Sequence, residues 1–185
     1  MPSFRKKTME ELGRPEVEAF RQMPRRDVVL VLDNIRSGLN VGSIFRTADA
    51  FAARQIHLCG ITARPPHREI LKSALGATET VPWHAHEDVA SCLTRLKEEG
   101  YLVAGIEQTH DSTPLHHFEP PADRPLALVL GNELRGISDE ALPLLDVAVE
   151  IPQFGTKHSI NVAVCAGIVL WHLVEKVGPE NWLPR

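Results

Sequence analysis

"DVVLVLDNIRSGLNVGSIFRTADAF", residues 27–51, decides the fold. It opens on "DVVLVL" (27–32), an unbroken apolar, β-branched run of the kind found in strands covered on both faces. The residues from Asn40 to Phe51 then take helical spacing. A buried strand running straight into a helix begins a β-α alternation. The helix itself is unusual. Its first turn holds Asn40, Gly42 and Ser43 and its middle holds Arg46, where an ordinary amphipathic helix carries Leu or Ala. Polar and small groups immediately beyond a buried strand point to a requirement other than core packing.

Outward from this stretch the alternation continues. Strands are expected at 54–60, 79–83, 101–107, 125–131 and 147–152, and helices at 67–75, 86–100 and 159–177, with a short helix over 15–23 before the first strand. Residues 108–124, "QTHDSTPLHHFEPPADR", are too long and proline-rich for regular structure and read as a loop with a role of its own, a lid in the simplest case. The pattern predicts one α/β domain over 27–177 with a mainly parallel sheet and helices on both faces. A basic arm with a short helix (1–26) precedes it and a tail (178–185) follows.

In parallel sheets ligands sit beyond the carboxyl ends of the strands, which directs attention to 33–48, 131–138 and 152–161. In the first, Asn34 and Asn40 can cap backbone amides, Gly38 and Gly42 permit close approach, and Arg46 can hold a phosphate; a helix cap with a surface ion pair is the plainer alternative. In the second, Gly131, Asn132, Glu133 and Gly136 make a tight loop ahead of a short helix that Ser138 can cap, and Glu133 can accept from a ribose, an amine or Arg46. It is neither a P-loop nor a dinucleotide fingerprint. In the third, Gly155 allows a turn and Ser159 starts an apolar helix in which Asn161 is the odd polar residue, so that Ser159 and Asn161 either cap that helix or face a ligand.

Charge is unevenly spread. Residues 1–72 hold 13 Lys and Arg against 8 Asp and Glu, net +5, and residues 73–185 hold 7 against 16, net -9. A polyanion can therefore be met by the first part of the chain, through Arg25, Arg26, Arg36 and Arg46 among others. Cys59, Cys92 and Cys165 are odd in number and sit in apolar surroundings, so they read as reduced core residues of a cytoplasmic protein. His110, His116 and His117 match no metal-ligand spacing, and no metal is expected. No apolar run is long enough to span a membrane, and the first residues lack the apolar region of a signal peptide.

Taken together, "NVGSIFRTADAF", "LVLGNELRGIS" and "IPQFGTKHSINVAV" resemble the three motifs of the SpoU/TrmH family of RNA ribose 2'-O-methyltransferases, in the SPOUT superfamily. The resemblance implies a C-terminal deep trefoil knot and S-adenosylmethionine bound in it. The implied cofactor contacts are Glu107, Gln108, Gly131, Asn132, Glu133, Gly136, Ile151, Gln153, Ser159 and Ile160. It makes Asn40, Arg46, Glu133, Ser159 and Asn161 the catalytic group. It also implies a homodimer, and an RNA substrate: tRNA is favoured for so compact a chain, with ribosomal RNA as the alternative. A catalytically silent knotted RNA-binding protein is the competing class, and the intact motif residues weigh against it.

Overall fold

The computed structural model describes residues 4–183. Two short helices, α1 (Met9–Leu12) and α2 (Val17–Gln22), lead into β1 (Arg26–Asp33). There follow α3 (Gly38–Ala50), β2 (Ala53–Cys59), α4 (Arg68–Ala74), α5 (Ala77–Thr80), β3 (Trp83–His86), α6 (Val89–Glu98) and β4 (Leu102–Ile106). The chain closes with β5 (Thr113–Pro114), β6 (Leu126–Leu130), β7 (Val147–Glu150) and α7 (Val162–Val177).

The sheet order is β3-β2-β1-β6-β4-β7-β5, and every pair of neighbours is parallel. Alternation along β1 divides the core in two. Val28, Leu30 and Leu32 join the cluster that holds Ile44, Phe45, Ile70 and Leu170 of α3, α4 and α7. Val29 and Val31 face the other way, towards Cys92, Leu93 and Leu96 of α6. A strand covered on both faces needs an apolar side chain at every position, and "VVLVL" supplies one.

Part of the odd opening of α3 is a packing device. A Cβ at Gly42 would lie 2.1 Å from Ser73 Oγ and 2.5 Å from the Ile70 carbonyl, and one at Gly38 would lie 2.7 Å from His67 Nδ1. The close approach that these glycines permit is therefore that of α4. Ser37, not Asn40, caps the helix: its side chain accepts from Asn40 N.

Several expected boundaries move, each for a local reason. Residues 79–83 do not form a strand. Gly76, at φ 89°, restarts the chain into α5, and Pro82 cannot donate to a ladder, so β3 begins only at Trp83. His86 then belongs to β3, and α6 starts later, with Asp88 accepting from Ser91 N. The last helix begins at Val162 and not at Ser159, because Asn161 is the cap and accepts from Ala163 N and Val164 N. Ser138 caps no helix; its N–H and hydroxyl both donate to Asp33, and only a 3-10 turn, Leu142–Leu144, follows.

Residues 108–124 are more ordered than their composition suggests. β5 extends the sheet beside β7, a 3-10 turn covers Leu115–His117, and Leu115 and Phe118 are buried. His172 of α7 donates from Nε2 to the Phe118 carbonyl at 2.9 Å. Nor is 178–183 a free tail: buried Trp182 donates from Nε1 to the Phe51 carbonyl at 2.7 Å. Among the described residues no helix is long and apolar enough to cross a membrane.

Candidate active site

The carboxyl ends of β1, β6, β4 and β7 carry the segments that surround the site. Asp33, the last residue of β1, is fully buried and sets the first of them. Its Oδ2 accepts from Ser138 N and Ser138 Oγ, both at 2.8 Å, and its Oδ1 accepts from Asn34 Nδ2 at 2.7 Å. Asn34 sits in the left-handed region at φ 58°, turns the chain sharply after the strand, and its carbonyl accepts from Asn132 Nδ2 at 2.7 Å. One buried carboxylate thus ties the end of β1 to the loop after β6. Asp33 escaped the sequence reading, although an acid closing the run "VVLVLD" is a legible signal.

The loop after β6 is a closed bracket. Asn132 and Gly136 exchange both backbone hydrogen bonds at 2.9 Å, and Asn132 Oδ1 accepts from Leu134 N and Arg135 N. Gly136 has φ 71°, and a Cβ there would stand 2.1 Å from Glu107 Oε2; one on Gly131 would stand 2.1 Å from the Gly136 carbonyl carbon. Glu107, just past β4, accepts from Ile137 N at 2.9 Å and from its own neighbour Gln108 N. Gln108 in turn donates from Nε2 to the His158 carbonyl at 2.8 Å, linking this end of β4 to the segment before α7.

These segments enclose a cavity of about 600 Å³. Glu107, Gln108, Gly131, Asn132, Glu133, Gly136, Ile151, Gln153, Ser159 and Ile160 all line it, together with Cys165 and Val162 of α7. The Cys165 thiol is pushed up to about 11 by burial and by the nearby Glu107 charge, so it stays protonated at neutral pH.

At the rim the three motif segments meet. Asn40 donates from Nδ2 to Glu133 Oε1 at 3.0 Å, and its Oδ1 accepts from Asn161 Nδ2 at 3.0 Å. Glu133 also accepts from Ser37 N at 3.2 Å and Arg36 N at 3.4 Å. Burial raises the Glu133 pKa, but the hydrogen bonds from its own backbone N–H and from Asn40, Ser37 and Arg36 outweigh that and hold it below the usual carboxylate range. The carboxylate is therefore a fixed negative charge that orients the start of α3.

Arg46 is exposed on α3, and among the described residues it forms no ion pair, so the Glu133–Arg46 alternative gives way to Glu133–Asn40. Arg36 is exposed beside Glu133 on a neighbouring groove. Arg25 and Arg26 lie at the opposite end of β1. The Arg25 guanidinium, its pKa lowered by burial, donates to the Thr80 and Ala53 carbonyls and stacks over Phe20. Arg26 lies over Trp182. The structure does not bring these two to the site.

The SpoU rRNA Methylase family matches residues 27–171. The chain is 36% identical over 153 residues to the 23S rRNA (guanosine-2'-O-)-methyltransferase RlmB of Neisseria meningitidis, covering 83% of this chain but 60% of that protein. It is 29% identical over 161 residues to the tRNA (guanosine(18)-2'-O)-methyltransferase of Thermus thermophilus, covering 87% and 81%. Among solved structures, an AdoMet-bound rRNA methyltransferase from Sinorhizobium meliloti superposes with TM-score 0.74 at 26% identity over 84% of this chain and 59% of that one. The TrmH/SpoU tRNA-modifying enzyme of A. aeolicus shares the fold, with TM-score 0.78 at 22% identity over 90% and 84% of the two chains.

Proposed function

Because the chain belongs to the SpoU rRNA Methylase family, we propose that it transfers a methyl group from S-adenosylmethionine to a ribose 2'-hydroxyl of RNA. The observation that carries the reading is the Glu133–Asn40–Asn161 bridge at the rim of a cavity lined by the strand-end loops. The residues present fit the cofactor. The cavity is of ligand size, Gly131 and Gly136 leave backbone where a Cβ would intrude, and the Glu107 carboxylate lines a site for a cation. Glu107, Gln108, the 131–136 bracket, Ile151, Gln153, Ser159 and Ile160 would hold it. When bound, S-adenosylmethionine supplies a methyl group on a positively charged sulfur.

The chain's own residues supply position and charge. Glu133 fixes the Asn40 amide, and through Asn40 it ties the start of α7 to the start of α3. The exposed Arg46 guanidinium clamps a phosphate beside the target ribose, and Arg36 extends the same basic rim. A guanidinium is effectively never deprotonated, so the hydroxyl proton leaves to phosphate or solvent.

The reading extends to partners and chain path. Val164, Ile168 and Trp171 form an exposed apolar stripe on α7, at 53%, 36% and 53% exposure, which supports a homodimer. The return of the chain from β7, near one edge, to α7 packed on α3 beside β1 supports a knotted C-terminal segment. The favoured substrate is tRNA, with ribosomal RNA the competitor, and the compartment is cytoplasmic. Transfer of label from S-adenosylmethionine to unmodified tRNA and, separately, to ribosomal RNA tests the proposal, with the product digested to nucleosides. A 2'-O-methylated nucleoside from one pool is expected; cofactor binding with no transfer to either pool would overturn it in favour of a silent binder.

A further inference from the structure

Under α6, two strands away from the cavity, three metal-ligating side chains converge and a fourth lies beside them. Parallel pairing sets His57 of β2 opposite His84 of β3, and Cys59 opposite His86. Residues two apart on a strand share a face, so His57, Cys59 and His86 all point towards α6, which lowers Cys92 onto them. His57 Nδ1 and His86 Nε2 are 2.8 Å apart. The ligand atoms of His57, His86 and Cys92 all lie within 4.8 Å of one another. Cys59, two residues on from His57 on the same face, belongs with Cys92 to one buried cluster beside these three. His57, Cys59 and Cys92 are buried among Val29, Val31, Val89 and Leu93.

We propose that His57, His86, Cys92 and Cys59 bind a soft divalent cation of the zinc class at this edge of the sheet. Two imidazoles and two thiols are a donor set that zinc takes in tetrahedral geometry. With metal–nitrogen and metal–sulfur bonds of roughly 2.0 and 2.3 Å, a tetrahedral ion sets its ligand atoms roughly 3.3 to 3.8 Å apart, within the 4.8 Å span of His57, His86 and Cys92. The His57–His86 contact must open by about half an ångström on the same geometry, and the Cys59 thiol must turn in towards the other three. Two thiolates balance the charge of a divalent ion, so the loaded site is neutral inside an apolar cluster that would tolerate no isolated charge.

Access and orientation are also provided. His86 is half-buried and His84 exposed at the sheet edge, which leaves a path from solvent. Gln55 lies 2.9 Å from His57 Nε2, so a proton held there finds the Gln55 amide oxygen once that amide is turned, leaving Nδ1 free to ligate. The ion would pin the edge strand β3 and helix α6 to β2. The ligands come from three separate elements at 57, 59, 86 and 92, a spacing that matches no zinc-finger pattern, which is why sequence spacing alone reads the cysteines as core.

The test is metal content of the purified full chain, followed by cobalt titration after chelation. One equivalent of zinc per chain, exchangeable for cobalt with a near-ultraviolet thiolate-to-cobalt band, is the expected result. Cys92→Ser should abolish the band and the bound zinc. Gln55→Ala should keep both but weaken zinc about 10- to 100-fold. Because a core variant can fail to fold, His86→Gln at the half-buried edge is measured alongside, with circular dichroism on each; it too should lose stoichiometric metal. Folded wild-type protein that takes up neither zinc nor cobalt would overturn the proposal. So would binding that persists in both Cys92→Ser and His86→Gln.

Discussion

Asn40 and Glu133 stand 93 positions apart in the chain and are joined by a 3.0 Å hydrogen bond from Asn40 Nδ2 to Glu133 Oε1. That bond couples the start of α3 to the loop after β6, and Asn161 completes the link to α7 through Asn40 Oδ1. Three distant segments are thereby held in one constellation, and its disturbance should be felt as misplacement.

Asn40→Ala removes the middle of this bridge and Glu133→Gln removes acceptor capacity from three donors. Both should keep the fold and lower single-turnover methyl transfer by about a hundredfold, the scale expected of a misplacement near 1 Å. Rapid-quench kinetics with a thermal melt on each variant provide the check. A proportional fall in both rate and melting temperature would indicate a structural role instead.

Arg46 is exposed, so Arg46→Ala should change stability by no more than about 0.5 kcal/mol. RNA binding should weaken, and the slope of log affinity against log salt should fall by about 1 if one phosphate contact is lost. Filter binding over a salt series, beside turnover, measures both. An unchanged slope with lost turnover would remove the phosphate-clamp role.

Gly136→Ala meets two obstacles at once, a left-handed backbone at φ 71° and the Glu107 carboxylate 2.1 Å from the new Cβ. The strain is about 1–3 kcal/mol, and relief by displacing Glu107 opens the bracket that lines the cavity. Calorimetric affinity for S-adenosylmethionine should fall at least tenfold. Gly155→Ala, where an added Cβ meets nothing within 4 Å, should leave it unchanged and serves as the control.

Asp33→Ala strips the acceptor from Ser138 N, Ser138 Oγ and Asn34 Nδ2 inside the core. Each buried donor left unpaired costs about 1–3 kcal/mol, so denaturant unfolding should show a loss of several kcal/mol. Ser138→Ala, which removes one donor and leaves the carboxylate two others, should cost about 1 kcal/mol.

The Glu133 pKa is held below its unfolded value, so the stability it contributes is present above the ordinary carboxylate range near pH 4.3. It is lost as pH falls through the lower folded value. Between neutral pH and about 5 the contribution should be flat. The difference in stability between wild type and Glu133→Gln, followed by denaturant melts from pH 7 to pH 3, should shrink only at the acid end.

Much of this was legible in the chain. Continuous apolar runs such as 27–32 and 125–131 predict a parallel sheet because a doubly covered strand cannot afford a polar face. All ten residues expected around the cofactor line a single cavity, since strand-end loops of a parallel sheet share one edge by construction. The failures are instructive for the same reason. The span 79–83 looked extended because β-branched residues there were read without the turn forced by Gly76 and the missing donor of Pro82. Ser159 offers itself as a cap as readily as Asn161 by residue type, and only the course of the chain before α7 shows that Asn161 holds the position.

Periodicity, glycine placement and charge by themselves determined the fold class, the site's edge of the sheet and the residue types gathered there, because each of these follows from local pattern. What only the tertiary structure decided is who meets whom. Glu133 answers Asn40 and not Arg46, Gly42 makes room for α4, buried Asp33 anchors the 132–138 loop, and two histidines and a cysteine from three elements meet under α6. Such pairings depend on the register between strands and on which helix covers which face, and no spacing along a single segment encodes either.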